Sequence, residues 1–447
     1  MKYRALRAVA MAAFLLPGLS YGQSEPDAGL AAGPAPGAAA APAAIPAAAA
    51  PAGRVAAVVS PEIGGDGRVT FRLRAPNATA VAVTGLAAPL SMTKDAQGVW
   101  SATTDTALKP DIYIYNFTVD GLRVTDPSNV GSAFLVAPSK TASQLVVPGV
   151  PWTAGDVPHG AVSHHIYKSS IIGADEEYFV YTPPGYDPKR KKPYPVFFLL
   201  HGLGDNASDW IGQGGANLSL DALIAKGKAL PMILITPASY GNSSGTRGAA
   251  AGFPAFTDAL IKEILPQVES QYNASKRAND HAISGLSMGA AQSPLLLNHL
   301  DQFAWIGEFS PGFDMYARIN TPLNAPGGAG GAPGPGGAGG AGAAAGGGRG
   351  AAPGLTIDGV RMRATLADNV IPSLFPNLTA KDNAKIKLLY LACGTNDDHL
   401  ALQRQFKEFL DSRGIKITVY QEVPGYAHEW PFWRYEVTQF APLLFKS

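Results

Sequence analysis

Cysteine is almost missing from this chain: Cys393 is the only one in 447 residues. That excludes an intramolecular disulfide, so the fold depends on its buried core. Net charge is almost missing too. Lys and Arg number 35 against 34 Asp and Glu, a formal +1, and no basic stripe is present, so nucleic acid is not an expected partner. Long apolar runs are also lacking. Lys2, Arg4 and Arg7 precede an apolar stretch through Leu16, and Ser20-Tyr-Gly22 is small at both cleavage-determining positions. The stretch is too short to span a bilayer, and nothing later is long enough either. Residues 1–22 are therefore expected to be a secretory signal, the protein to be secreted or periplasmic, and no membrane span to remain after signal removal.

What is abundant is Gly, 51 residues, and Pro, 37. Residues 23–54 are almost wholly Ala, Pro and Gly, which cannot bury enough apolar surface to offset chain entropy, and read as a linker. Composition changes near Val55. Val69, Phe71 and Leu73 alternate with polar neighbours, Val81 and Val83 repeat the period, and so do Tyr113, Tyr115, Phe117 and Val119. Turn signals at Gly64-Gly65-Asp66-Gly67, Asp95-Ala-Gln-Gly98 and Asp120-Gly121 separate these runs. The pattern predicts a small all-β, immunoglobulin-like sandwich over residues 55–148.

Beyond Pro158 the period changes. Pro195-Val-Phe-Phe-Leu-Leu200, Met232-Ile-Leu-Ile-Thr236, Lys387-Leu-Leu-Tyr-Leu391 and Ile417-Thr-Val-Tyr420 are short apolar runs of the kind that form a buried parallel sheet. Phe256, Leu260, Ile261, Ile264, Leu265 and Val268 share one helical face, with a kink expected at Pro266. The second domain, 159–447, is thus expected to be α/β with a mostly parallel sheet. Residues 325–354 are nearly all Gly, Ala and Pro and read as a low-complexity insertion in a loop.

Gly285-Leu-Ser-Met-Gly289 is a G-x-S-x-G motif between an apolar run and a helix-compatible segment. A serine at such a strand-to-helix turn has strained backbone angles, and the flanking glycines let strand and helix approach closely. Ser287 is the candidate nucleophile, and the N–H of Met288 a candidate oxyanion donor. A serine hydroxyl needs a general base oriented by a carboxylate. Asp397, in Gly394-Thr-Asn-Asp-Asp-His399 after an apolar strand, is the chosen acid, with Asp398 its competitor; His428, on the Pro-Gly loop before Trp430, is the chosen base. His281 and His299 are assigned structural or surface roles. His399 follows two aspartates, but no further spaced ligand cluster supports a metal, and neither metal nor cofactor is called for. The N–H of Leu203, in Leu199-Leu-His-Gly-Leu-Gly204, is the second expected oxyanion donor. Trp210 and Trp430 are candidate substrate-binding rings, with Trp433 near them, and Trp100 is either a glycan platform or a core residue of the sandwich.

With Leu200-His-Gly-Leu-Gly204, Trp210, Gly285-Leu-Ser-Met-Gly289, Gly394-Thr-Asn-Asp397 and Gly425-Tyr-Ala-His-Glu-Trp430, the chain resembles the feruloyl and acetyl-xylan esterases of carbohydrate esterase family 1 from about His159 to Phe445. Tyr181-Thr-Pro-Pro-Gly-Tyr186 and the stretch from Leu220 to Met232 belong to the same likeness. Asp66-Gly-Arg-Val-Thr-Phe-Arg-Leu-Arg-Ala-Pro76 looks like the early-set sandwich related to glycogen-binding modules. The resemblance implies an α/β-hydrolase fold with a triad of Ser287, Asp397 and His428. It implies a secreted serine esterase, feruloyl-esterase-like, whose substrate is an acylated polysaccharide or oligosaccharide. Xylan deacetylation, siderophore-ester hydrolysis and acyl transfer to a sugar are the alternatives within the enzyme class. A carbohydrate-binding protein with an inactive hydrolase scaffold is the alternative outside it. In this chain Ala290 stands where the family usually has a second glycine after the motif.

Overall fold

In Val69-Thr-Phe-Arg-Leu-Arg74 the three apolar side chains are buried while the intervening polar ones are half-buried or exposed, as the two-residue period of a strand requires. The computed structural model describes residues 57–129, 142–153, 155–241, 253–317 and 370–446. The expected signal (1–22), linker (23–54) and Gly/Ala insertion (325–354) lie outside the described residues.

Strands β1 (Glu62–Ile63), β2 (Val69–Arg74), β3 (Val81–Thr84), β4 (Leu90–Ser91), β5 (Thr93–Lys94), β6 (Val99–Thr103), β7 (Asp111–Val119), β8 (Leu122–Val124) and β9 (Ser143–Val147) are antiparallel throughout. One sheet has the order β1-β2-β6-β5, the other β4-β3-β7-β8, with β9 also pairing β7. Val69, Phe71, Leu73 and Trp100 of the first sheet pack on Val83, Tyr115, Phe117 and Leu145 of the second. Trp100 is a core residue: it is buried, and its Nε1–H donates to the carbonyl of Ala75.

The second half is built on β10 (Ala161–Lys168), β11 (Asp175–Thr182), β12 (Val196–Leu200), β13 (Ile233–Pro237), β14 (His281–Gly285), β15 (Trp305–Phe309), β16 (Leu388–Gly394) and β17 (Val419–Val423). Among the described residues they form an eight-stranded sheet of order β10-β11-β13-β12-β14-β15-β16-β17. β10 and β11 pair antiparallel, β11 joins β13 antiparallel, and every later pairing is parallel. This is the α/β-hydrolase arrangement. Every residue of β12, β13, β14, β15 and β16 is buried, because helices cover both faces.

On one face, residues of 253–271, of Met288–Gln292 and of Leu400–Ser412 share a core with Val196, Phe198 and Ile306. On the other, Trp210, Leu220, Trp430, Phe432 and Phe440 share a core with Phe197, Leu199 and Tyr390. The disturbance at Pro266 takes a definite form: Leu260–Ile264 is a π-helical turn directly before it. Proline has no N–H and its ring crowds the carbonyl four residues back, which a locally widened turn relieves. The two antiparallel sheets meet the hydrolase half through Arg434, whose Nη1 lies 2.7 Å from Asp111 Oδ1 at the start of β7 and whose Nε donates to Gln213 O at 2.9 Å. Trp152 Nε1 donates to the same Asp111 oxygen, and Gln144 Nε2 to Gly212 O.

Candidate active site

Ser287 sits between the end of β14 and the helix Met288–Gln292 with φ 53° and ψ −109°, a region an L-residue occupies only when its surroundings hold it there. They do. Its N–H donates to Phe309 O at 3.0 Å, and its carbonyl accepts from Gly312 at 3.0 Å and Ala291 at 3.1 Å. The glycines of the motif are sterically required. A Cβ on Gly289 would stand 2.6 Å from Leu200 O, and one on Gly285 2.6 Å from the Gly289 carbonyl carbon. Ala290 is fully buried in the same helix.

The ends of β16 and β17 bring the other two groups together. His428 Nδ1 lies 3.0 Å from Asp397 Oδ2 and 3.1 Å from Oδ1. Asp397, not Asp398, is the carboxylate His428 addresses. Burial alone would push Asp397 up, but the charge of His428 and hydrogen bonds from His399 and His428 hold it well below the usual carboxylate range. With Nδ1 turned to this carboxylate, Nε2 is the ring nitrogen of His428 that Asp397 does not address. Trp433 meets the His428 ring edge-on at 5.0 Å between centroids, and its own Nε1–H donates to Ser310 Oγ at 3.2 Å.

A second histidine is present that the spacing of motifs does not single out as a partner of the triad. His399 Nδ1 is 3.2 Å from Asp397 Oδ1 and 3.0 Å from Asp398 Oδ1, and its backbone N–H donates to Asp397 Oδ1 at 2.8 Å. Its ring stacks on that of His428 at 4.2 Å. Burial works against its charged form, yet the hydrogen bonds and charges of Asp397 and Asp398 prevail and raise it to about 10.

The loop after β12 approaches Ser287: a Cβ on Gly202 would come 3.4 Å from Ser287 Cβ. Two residues fix this loop, His201 from within the Leu200-His-Gly-Leu-Gly204 motif and Tyr240, which no motif marks. His201 is buried, with Nδ1 2.9 Å from Gly202 O and Nε2 accepting from the Ser239 N–H at 3.1 Å. The Tyr240 hydroxyl accepts from Gly204 N–H at 2.7 Å and donates to Asp205 O at 3.0 Å. Leu203 is partly exposed at the loop's tip. Met288 opens its helix, where the first N–H groups have no partner inside the helix.

Trp210 and Trp430 require a correction: both rings lie in the core. They are 0% and 2% exposed, pack edge to face at 5.1 Å, and Trp210 Nε1–H is used on Leu200 O. The large apolar rings gain more from the core beside the helix Trp430–Phe440 than a surface position offers. His281 is structural, its two ring nitrogens set against the carbonyls of Gln302 and Ser275, and His299 ends the 3-10 turn Ser293–Asn298. Donor atoms of Asp397, Asp398, His399 and His428 lie within 4.8 Å of one another. That spacing would suit a cation, but both Nδ1 atoms point at carboxylate oxygens, where they act as hydrogen-bond donors rather than as ligands.

The sequence model of the Esterase family, described as "Putative esterase", aligns with residues 169–445. The chain belongs to this family. The chain is 30% identical over 276 residues to an endo-1,4-beta-xylanase/feruloyl esterase of Xylanibacter ruminicola, which covers 59% of this chain and 37% of that protein. It is 30% identical over 140 residues to endo-1,4-beta-xylanase Y of Acetivibrio thermocellus, covering 28% of this chain and 12% of that one. The chain thus spans well under two thirds of the length of either relative. Among solved structures, the enterobactin esterase FES of Shigella flexneri superposes with a TM-score of 0.53 at 17% identity, over 84% of this chain and 92% of that one. At that identity the likeness is one of fold. The likeness to carbohydrate esterase family 1, from about His159 to Phe445, contains the whole of the family match.

Proposed function

We propose that this chain is a serine carboxylic-ester hydrolase that removes acyl groups, feruloyl foremost, from plant cell-wall polysaccharide. Two observations carry the reading: the positive φ of Ser287 on the turn after β14, and the pairing of a buried Asp397, after β16, with a half-buried His428, after β17. His428 Nε2 takes the Ser287 proton as Oγ attacks the ester carbonyl. The oxyanion is received by the N–H groups of Met288 and Leu203. His428 then gives the proton to the departing sugar oxygen, leaving an acyl-enzyme, and water repeats the attack to release the free acid. Asp397 keeps the imidazole in the required tautomer and stabilises its charged form.

The feruloyl preference rests on the likeness to the endo-1,4-beta-xylanase/feruloyl esterase of Xylanibacter ruminicola and on the motifs, and secretion on the N-terminal sequence. Hydrolysis of methyl ferulate, acetylated xylan and p-nitrophenyl acetate by the wild-type protein and by Ser287→Ala tests it. Ferulate release, reduced by roughly a million-fold in Ser287→Ala, is the expected result. Activity confined to the acetyl esters would move the substrate to acetylated polysaccharide. Turnover that survives Ser287→Ala would overturn the mechanism.

A further inference from the structure

We propose that His399 is a positioning residue that sets the pH range of the reaction by sharing Asp397 with His428 and stacking on its ring. The proposal rests on the triad reading of Ser287, Asp397 and His428. Two imidazoles address one carboxylate here: His428 Nδ1 at 3.0 and 3.1 Å, His399 through both its backbone N–H at 2.8 Å and its Nδ1 at 3.2 Å. A second carboxylate, Asp398, lies 3.0 Å from His399 Nδ1 on the other side. A histidine that only began the helix Leu400–Ser412 would need neither aspartate. Flanked by two carboxylates, the His399 ring is held in its charged form, 4.2 Å from the ring that must act as base.

The consequence has a definite sign. A positive charge stacked on His428 opposes the arrival of a proton there, so the free base persists to lower pH. His399 also draws on Asp397, which weakens that carboxylate's pull on a protonated His428; both effects act in the same direction. The other titratable groups around the cluster do not cancel them. Cys393 at the end of β16 stands near Asp397 and Glu308 on β15 near Cys393, and burial pushes both up, towards their neutral forms. Arg404, on the helix that follows His399, is engaged with Glu422 at 2.6 and 2.8 Å.

The test is the pH profile of kcat/KM for p-nitrophenyl acetate in the full-length wild type, His399→Phe and His399→Gln, with thermal unfolding of each as a check on folding. Phe keeps the stack and removes charge and hydrogen bonds; Gln keeps a donor without the charge. The acidic limb should move up by roughly one pH unit in both, with kcat falling further in Phe than in Gln. A limb that stays in place in a folded variant overturns the proposal and leaves His399 a helix-start residue. A second readout does not depend on turnover. In long-range imidazole 1H–15N spectra of the full chain, His399 should carry protons on both ring nitrogens at pH 8, and a neutral ring there overturns the proposal even if the triad stands. A wild type that hydrolyses no ester while His399 is doubly protonated would instead remove the triad reading, and the role of His399 in a reaction with it.

Discussion

Asp397 is the residue on which the site turns, because a single buried carboxylate is asked to serve two histidines. Its low titration follows from those contacts, and so does the elevation of His399 to about 10 from its ordinary 6.5. A base whose folded value is raised contributes stability that is complete below its unfolded value and disappears as pH climbs through the folded one. The stability advantage of wild type over His399→Phe should therefore be full below about pH 6.5 and shrink steadily towards pH 10, read by urea unfolding at a series of pH values. An advantage that does not vary across that window would place the contribution of His399 in packing. At this scale the sequence was legible wherever local geometry dictates the residue. Ser287 is marked because a strand and helix in contact leave no room for Cβ atoms two positions either side. Asp397 and Asp398 are adjacent in one turn, and only the approach of a loop 31 positions away decides between them. Trp210 and Trp430 misled for a related reason: an aromatic next to an active-site loop reads the same in sequence whether it faces solvent or core.

At the scale of elements, the turn from β14 into its helix depends on near-contact with the end of β12. Gly289→Ala would place a methyl group 2.6 Å from Leu200 O and 2.8 Å from His201 O, both backbone atoms with little freedom to withdraw. We expect a loss of about 1–3 kcal/mol in unfolding free energy together with a fall in kcat, since the same carbonyl of His201 begins the loop that carries Leu203. A Gly289→Ala protein of wild-type stability and activity would contradict this account of the motif. The central strands were legible as apolar runs, and the helix carrying Phe256 to Val268 by its period. β15 was not, because Trp305-Ile-Gly-Glu-Phe309 contains a carboxylate and a glycine where a buried strand normally has neither. Both have local explanations. Burial pushes Glu308 well up, which favours the neutral acid, and a Cβ on Gly307 would collide with the Phe440 ring at 2.7 Å. β10 and β11 were missed too, since β10 is an exposed edge strand with no buried period to read.

At the scale of the whole molecule, the antiparallel sheets are tied to the helix that follows His428 by one buried cation. The Arg434 side chain is 0% exposed, and Asp111 is its charge partner. Asp111→Ala would leave that guanidinium buried without a counter-charge, a loss of about 3–5 kcal/mol; the double variant Asp111→Ala/Arg434→Leu should be less destabilised than the single one, as urea unfolding would register. Equal destabilisation would mean that the pair is not coupled. That link was invisible in the sequence because its partners are 323 positions apart and each looks like an ordinary surface charge.

The central claim, that Ser287 is the nucleophile, is tested most directly by covalent capture. Exposing the full-length protein to a fluorophosphonate should add one phosphonyl group to the intact mass, with loss of fluoride, and peptide mapping should place it on Ser287. The His428→Ala protein should label far more slowly. A label on another residue, or none on a wild-type protein that hydrolyses esters, would contradict the account.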